Sequence, residues 1–81
     1  MNKENILVEV KFFANLTRYG PDYAKISVPK DSKVEDILKK YNVPYKKERL
    51  IILINSIPHK TPNTILKDGD VIAIFPMLAG G

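Results

Sequence analysis

Five consecutive aliphatic residues, Leu50–Ile54, limit the folds that this chain can adopt. The run is too short for a core helix and is followed by Asn55-Ser56, residue types common in turns, so the pattern predicts a β-strand. Because aliphatic side chains fill every position of the run, we expect this strand to lie in the interior of a sheet. The hydrophobic core is then centred on it.

Strand patterns also occur on both sides of this run. Alternation of apolar and polar residues, or β-branched content, predicts three more strands, Leu7–Phe13, Lys25–Val28 and Val71–Phe75, the last stopped by Pro76. The first two follow one another and predict a hairpin with a long loop. The segment Ile57-Pro58-His59 can add only a short edge strand, because proline has no amide to donate to a central ladder.

One helix is predicted between the second and third strands. Ser32-Lys33-Val34-Glu35 has the pattern of a capping box, with Ser32 as the cap. Apolar residues then recur at helical spacing, at Val34, Ile37, Leu38 and Tyr41. Asn42 and Pro44 end the helix after about three turns. The predicted class is α+β, a mixed four- to five-stranded sheet covered by one main helix, which is the outline of the ubiquitin-like β-grasp fold.

Size and composition exclude several classes of protein. With 81 residues, the chain has room for one domain, which we expect to span residues 1–81 with residues 76–81 as a flexible C-terminal tail. The absence of cysteine excludes disulfides, thiolate metal sites and a cysteine nucleophile. No apolar run approaches the roughly 20 residues that span a bilayer, so we expect a cytoplasmic protein without membrane contact.

The formal net charge of +4 is a weak indication of acidic partners. Lysines are scattered along the sequence, with doublets only at Lys39-Lys40 and Lys46-Lys47, and no basic run has interleaved aromatic residues. We therefore expect a solvated charged surface and no nucleic-acid partner. A noncatalytic basic binding module remains an alternative.

The usual catalytic groups are poorly supplied. His59 is the only histidine, which excludes a multi-histidine metal site, and its neighbours suggest an edge or loop position. Asp68 and Asp70 flank Gly69, a pattern that favours a turn over a cation site. No glycine-rich phosphate loop precedes a helix. We expect no catalytic machinery within this chain, no metal and no bound cofactor.

The segment with unusual chemistry is Pro76-Met77-Leu78-Ala79-Gly80-Gly81. Glycine lacks Cβ, so a tail ending in Gly80-Gly81 is slim enough to enter a narrow channel of another protein. The carboxylate of Gly81 is a poor electrophile and must first be activated, for example as an acyl-adenylate. That activation requires a second protein.

Two stretches of the chain resemble one family. Leu66–Gly81, with its Asp-Gly-Asp turn, hydrophobic strand, Phe-Pro and Gly-Gly, resembles the C-terminal signature of the molybdopterin synthase small subunit in the MoaD and ThiS family of ubiquitin-like sulfur carriers. Val10–Leu16, with its Phe-Phe-Ala triplet, resembles the family's opening strand. The chain departs from the family pattern at Leu16-Thr17-Arg18 and at Met77, where the family often has Leu-Arg-Glu and a second proline.

The resemblance implies a cycle carried out with partner proteins. A ubiquitin-activating-like adenylyltransferase would use ATP to adenylate Gly81, and a sulfur donor protein would displace AMP to give a thiocarboxylate. The tail would then enter the large subunit of molybdopterin synthase and give its sulfur to a pyranopterin precursor, for the molybdenum or tungsten cofactor. Thiamine or transfer-RNA thiolation, and conjugation to target proteins through Gly81, remain alternatives.

Site residues follow from the resemblance. Gly81 would carry the adenylate and the sulfur. Six residues before it would contact partners, namely Gly80, Ala79, Leu78, Met77, Pro76 and Phe75. For Phe75, packing in the core is an equally weighted alternative, because strand alternation places it with Val71 and Ala73.

Overall fold

The computed structural model describes residues 4–77. Its elements, in chain order, are strand β1 (Asn5–Phe12), a short 3₁₀ helix (Ala14–Arg18), β2 (Ala24–Pro29), helix α1 (Val34–Lys40), β3 (Leu50–Ile54) and β4 (Val71–Pro76). The strands form one sheet in the order β2-β1-β4-β3. The two outer pairings are antiparallel and the central pairing of β1 with β4 is parallel. The predicted α+β class and β-grasp outline are confirmed.

The core lies between one face of the sheet, here called the inner face, and α1. Alternate strand residues point to it, and the register places Val10, Ile72 and Ile54 in one row across three strands. All three are buried, and the predicted helical stripe supplies Val34, Ile37 and Leu38, each fully buried. Burial of each aliphatic side chain of this kind contributes about 1.5–3 kcal/mol.

The position of β3 differs from the prediction. Leu50–Ile54 forms a strand with the predicted bounds, but it lies at the edge of the sheet, and the interior positions belong to β1 and β4. Ile52 and Ile54 face the core, whereas Ile51 and Leu53 are half-exposed on the opposite face. The run is aliphatic throughout because the outer face is also apolar here, and not because other strands flank it on both sides.

The fifth strand does not form among residues 4–77. The segment at Ile57 makes only an isolated bridge with Ile54, and the sheet has four strands, the lower end of the predicted range. His59, within the same segment, has a positive φ of 63° that interrupts an extended conformation.

The start of α1 also differs from the prediction. The cap is Lys33, not Ser32, and the Asp36 carboxylate accepts a hydrogen bond from the Lys33 amide at 2.8 Å. The Ser32 hydroxyl instead donates to the carbonyl of Pro29 at 2.6 Å. Carbonyls of Thr64 and Pro62 accept the amides of Val34 and Glu35, so a distant loop completes the helix start. The helix is seven residues long, shorter than the predicted three turns.

In residues 4–77, none of the helices has the length and apolar content needed to cross a bilayer.

Candidate functional site

The outer face of the sheet, opposite α1, carries an apolar patch at the end of β4. The register places Phe75 beside Ile51 and Ala73 beside Leu53, and all four side chains are half-exposed. The Phe13 amide donates to the carbonyl of Ile74, which brings Phe13 next to Phe75. We call Phe13, Ile51, Leu53, Ala73 and Phe75 the outer patch.

Two aromatic rings form the centre of the outer patch. Phe13 and Phe75 are stacked, with ring centroids 4.1 Å apart and planes inclined by 6°. Stacking holds both rings in place, although neither is in the core. The sequence left two alternatives for Phe75, packing in the core and contact with a partner protein. The structure excludes core packing, because the buried residues of β4 are Ile72 and Ile74, one position out of phase with Phe75.

The strand end beyond Phe75 leads towards the terminal segment. Pro76 is half-buried opposite Leu50, and the Met77 amide donates to the carbonyl of Arg49 at 3.0 Å. Met77 is 43% exposed. β4 therefore ends at Pro76, one residue beyond its predicted end. The hydrogen bond from Met77 to Arg49, the residue before β3, continues the pairing by one more position. Leu78, Ala79, Gly80 and Gly81 lie outside the described residues, so their assigned roles stay predictions.

Charge is distributed unevenly around the outer patch. Lys11 and Glu9 of β1 occupy the outer face on one side of Ala73 and Val71. Tyr19 packs against the core on the other side of the sheet, where its hydroxyl donates to the half-buried carboxylate of Glu48, and Arg18 forms an ion pair with the same oxygen at 3.3 Å. The neighbouring Tyr19, and to a lesser degree Glu48, raise the pKa of Arg18. Charged side chains of β1 thus border the apolar patch on one side, as polar residues border the apolar centre of protein interfaces.

The turn before β4 has the structural role that the sequence predicted. The Asp68 carboxylate accepts the Leu7 amide at 2.8 Å, and the Asp70 carboxylate accepts the Lys67 amide at 2.8 Å and the Asn55 side-chain amide at 2.9 Å. Gly69 has φ 87°, which explains glycine there. No group of three or more metal-ligating side chains occurs among residues 4–77.

Sequence reasoning missed four members of the outer patch as contact residues. Phe13 was noted only as the end of the first predicted strand and as part of the Phe-Phe-Ala triplet, Ala73 was only placed on the same side of its strand as Phe75, and Ile51 and Leu53 were assigned to the interior. The unbroken run Leu50–Ile54 contained the signal, because a strand with apolar residues at every position has apolar side chains on both faces. Without the strand order, a strand that is buried on both faces could not be distinguished from a strand that has one exposed face.

Comparison with known proteins gives the family. The ThiS family matches residues 10–81. A search of curated protein sequences found no significant match. Among solved structures, the putative molybdopterin converting factor subunit 1 of Pyrococcus furiosus is 26% identical, with a TM-score of 0.72 over 90% of this chain and 99% of its own.

Two other solved structures have similar identity. Small archaeal modifier protein 1 of Methanosarcina acetivorans is 28% identical, with a TM-score of 0.69 over 96% of this chain and 99% of its own. The third structure is a complex of subunits 1 and 2 of the molybdopterin-converting factor of Helicobacter pylori. One of its chains is 29% identical to this chain, with a TM-score of 0.58, and the match covers 94% of this chain and 100% of the other. The resemblance inferred from Leu66–Gly81 and Val10–Leu16 is confirmed. The chain belongs to the ThiS family and has the ubiquitin-like β-grasp fold of a sulfur carrier.

Proposed function

We propose that this chain is the sulfur-donating small subunit of a molybdopterin synthase, carrying sulfur as a thiocarboxylate on Gly81. The observation that carries the proposal is the family match over residues 10–81, which includes Gly80-Gly81. The structural likeness to a molybdopterin converting factor subunit 1 supports the choice of pathway. Phe75-Pro76, before the terminal glycines, adds support from the sequence.

The chemistry requires other proteins. An adenylyltransferase joins the Gly81 carboxylate to the α-phosphate of ATP, and pyrophosphate leaves. A donor protein then supplies sulfur at the oxidation level of sulfide, which attacks the acyl carbon and releases AMP, so this exchange needs no external oxidant or reductant. This chain contributes the acyl group and a narrow segment that presents it. The proposal includes a cytoplasmic location, where ATP for the first step is present.

The outer patch has a role in this proposal. Phe75 and Phe13 form a rigid apolar surface at the point where the chain leaves the sheet, beside Pro76 and Met77. Apolar and aromatic residues that remain half-exposed in a monomer are typical of protein interfaces. A partner that takes up residues 78–81 would contact this surface at the same time. The two-subunit complex among the similar structures supports a large-subunit partner.

A test uses the terminal glycines directly. Purified protein is incubated with ATP, a family adenylyltransferase and a sulfur donor, and intact-mass spectrometry detects replacement of one oxygen by sulfur. We expect the full chain to gain this mass and a variant without Gly80-Gly81 not to gain it. A chain extended by one alanine after Gly81 is the matched control for position, and we expect it to fail as well. Thiocarboxylate on the shortened variant would contradict the proposal.

The pathway requires a second measurement. Thiocarboxylated protein, mixed with a molybdopterin synthase large subunit and pyranopterin precursor, should yield the dithiolene product. Efficient sulfur transfer to a thiamine or transfer-RNA pathway, with none to the pterin, would reassign the carrier within the family.

A second candidate function is conjugation to proteins. Its support is the likeness to small archaeal modifier protein 1, which is similar to this chain in both identity and coverage. The same activated acyl group would then meet a lysine amine in place of sulfur. Isopeptide-linked peptides ending in Gly80-Gly81, found in host lysate by mass spectrometry, would favour this function, and their absence beside abundant thiocarboxylate would exclude it.

A further inference from the structure

The free edge of β3 borders a groove of about 450 Å³ that the sequence analysis did not anticipate. Its lining includes four cationic residues, Lys46, Lys47, Arg49 and Lys60, together with Leu50 and Met77. Lysines that are scattered in sequence therefore meet in the fold. The loop before β3 brings the first three cations, and the hydrogen bond from the Lys60 amide to the Ile52 carbonyl, at 2.9 Å, brings the fourth.

The groove has more positive than negative side chains. The lining contains one carboxylate, that of Glu48, and one oxygen of this group is already engaged by Tyr19 and Arg18. Among residues 4–77, none of the four cationic groups of the groove forms an ion pair. Like charges held close together repel one another, so an anionic occupant would be favoured at this position.

The groove also presents backbone hydrogen-bonding groups. Bonds from Met77 to Arg49 and from Asn55 to Val71 show that odd-numbered residues of β3 direct their backbone groups towards β4. Leu50 and Ile52 therefore direct theirs towards the groove. The carbonyl of Ile52 is occupied by Lys60, but the hydrogen bonds found within residues 4–77 give the Leu50 amide and carbonyl no partner at this edge. An open strand edge accepts an extended peptide.

We propose that this groove, here called the basic groove, binds an extended acidic segment of a partner protein. Carboxylates of the segment pair with Lys46, Lys47, Arg49 and Lys60, and its backbone adds to β3 at Leu50. Open strand-edge groups favour a peptide over a nucleic acid, which would need exposed aromatic rings for its bases. The aromatic residue of the lining, Tyr45, is half-buried, with its hydroxyl 3.4 Å from Glu35.

The basic groove is continuous with the end of β4. Met77 lines the groove and is also the last described residue before the terminal glycines. A protein that takes up residues 78–81 is therefore adjacent to the groove. We assign the acidic segment to that protein, and this assignment alone rests on the proposed function.

The test separates groove binding from tail chemistry. A fluorescein-labelled peptide of alternating glutamate and valine is titrated with the full chain, and anisotropy gives the affinity. We expect the Lys46→Glu and Lys47→Glu double variant to bind more than about tenfold more weakly, because two attractions become repulsions. The matched control is Lys39→Glu with Lys40→Glu, two exposed residues of the last turn of α1 with the same change in net charge. We expect it to change affinity by less than about twofold.

Further outcomes distinguish the mode of binding. The conservative Lys46→Arg and Lys47→Arg double variant should retain affinity, and amide NMR signals of Leu50 and Ile52 should shift on peptide addition while that of Ser27, on the opposite edge, does not. Equal weakening by both glutamate double variants would overturn the proposal, since binding would then follow net charge alone. Tighter binding of single-stranded poly-uridine than of the peptide would also overturn it, in favour of a nucleic-acid site.

A final measurement assigns the partner. The two glutamate double variants are compared for thiocarboxylate formation and for affinity to the adenylyltransferase and to the large subunit. Selective loss with the groove variant supports the assignment, and unchanged affinity for both partners contradicts it. Failure of the proposed function would give a different result. The unaltered chain would then form no thiocarboxylate, whereas the peptide would still bind the basic groove. The peptide would also bind a variant that lacks Gly80-Gly81.

Discussion

At its first residue β4 is held by a network of hydrogen bonds, whereas at its last residues it presents apolar side chains that remain half-exposed. The Asn55 side chain accepts the Val71 amide at 3.0 Å and donates to Asp70 at 2.9 Å. At the other end, the Phe75 ring stacks on Phe13, and Met77 is 43% exposed. The same six-residue strand thus has one end closed by polar contacts and one open end, where apolar side chains remain half-exposed.

The two ends of β4 therefore differ in what they do: the first fixes the position of the strand, and the last presents apolar side chains on the surface. The turn at Asp68 and Asp70 sets where β4 starts against β1 and β3, because a slip of one residue would exchange the two faces of the strand. Phe75 is then fixed on the outer face, and β4 ends at Pro76. The open end contributes less to stability and is free to contact another protein.

The largest effect on stability is expected at the closed end. Asp70→Ala removes the acceptor for the Lys67 amide and for the Asn55 side chain. Hydrogen bonds to charged groups contribute about 1.5–3 kcal/mol each when protected from water, and these are exposed, so we expect a loss of about 2 kcal/mol in the free energy of unfolding. Urea denaturation measures it.

A control for this variant is Asp22→Ala. Asp22 is exposed, and its carboxylate accepts none of the hydrogen bonds found among residues 4–77, so its removal should change stability by less than about 0.5 kcal/mol. Equal losses for both variants would show that the turn at Asp70 has no special part in holding β4.

A smaller effect on stability, with a clear effect on binding, is expected at the open end. Phe75→Ala should lower the free energy of unfolding by about 1 kcal/mol, because the ring is only half-buried, and should weaken partner affinity by more than about tenfold if the outer patch is the interface. A double-mutant cycle with Phe13→Ala should give a coupling of about 0.5–1.5 kcal/mol.

Ile65→Ala provides the comparison for Phe75. Ile65 is 52% exposed and forms an isolated bridge with Lys33, directly before α1, the helix that covers the opposite face of the sheet from the outer patch. Its removal should leave partner affinity unchanged. If the Phe75→Ala and Ile65→Ala variants both bind the partner as well as the unaltered chain, the outer patch is not the interface.

The smallest effect is expected at Ala14, directly after Phe13. Its φ is 56°, a left-handed conformation that costs alanine about 1–2 kcal/mol. Ala14→Gly removes this strain but adds freedom to the unfolded chain, so we expect a net gain of about 0.5 kcal/mol, measured as a higher melting temperature. Asn15→Gly, in the same 3₁₀ helix, should instead lower stability. A loss with Ala14→Gly would mean that the chain bends differently after Phe13.

Local patterns predicted most of the elements, whereas the errors occurred where contacts between distant residues determine the structure. Alternation at Val8, Val10 and Phe12 and the stripe of α1 depend on neighbours a few positions away, and both were correct. The start of α1 was assigned one residue early, because Pro62 and Thr64, about thirty positions later, accept the first helical amides. That arrangement has no local signature.

The site was predicted in the same uneven way. Phe75 and Met77 were identified as contact residues from a family pattern, and their exposure agrees with that role. Phe13 and Ile51 could not be added, since only the strand order brings both next to Phe75. The basic groove was missed for a related reason: Lys46 and Lys60 are fourteen positions apart in sequence and meet only at the edge of β3.

Parallel pairing of β1 with β4 has a consequence for the order of synthesis. Of the four strands described within residues 4–77, the two central ones are the first and the last to be synthesised, so this sheet cannot close until Val71–Pro76 has left the ribosome. Contacts so far apart in sequence form slowly and late. A nascent or shortened chain that lacks either strand therefore cannot complete the buried row of Val10, Ile72 and Ile54, so the core closes only after β4 has been made.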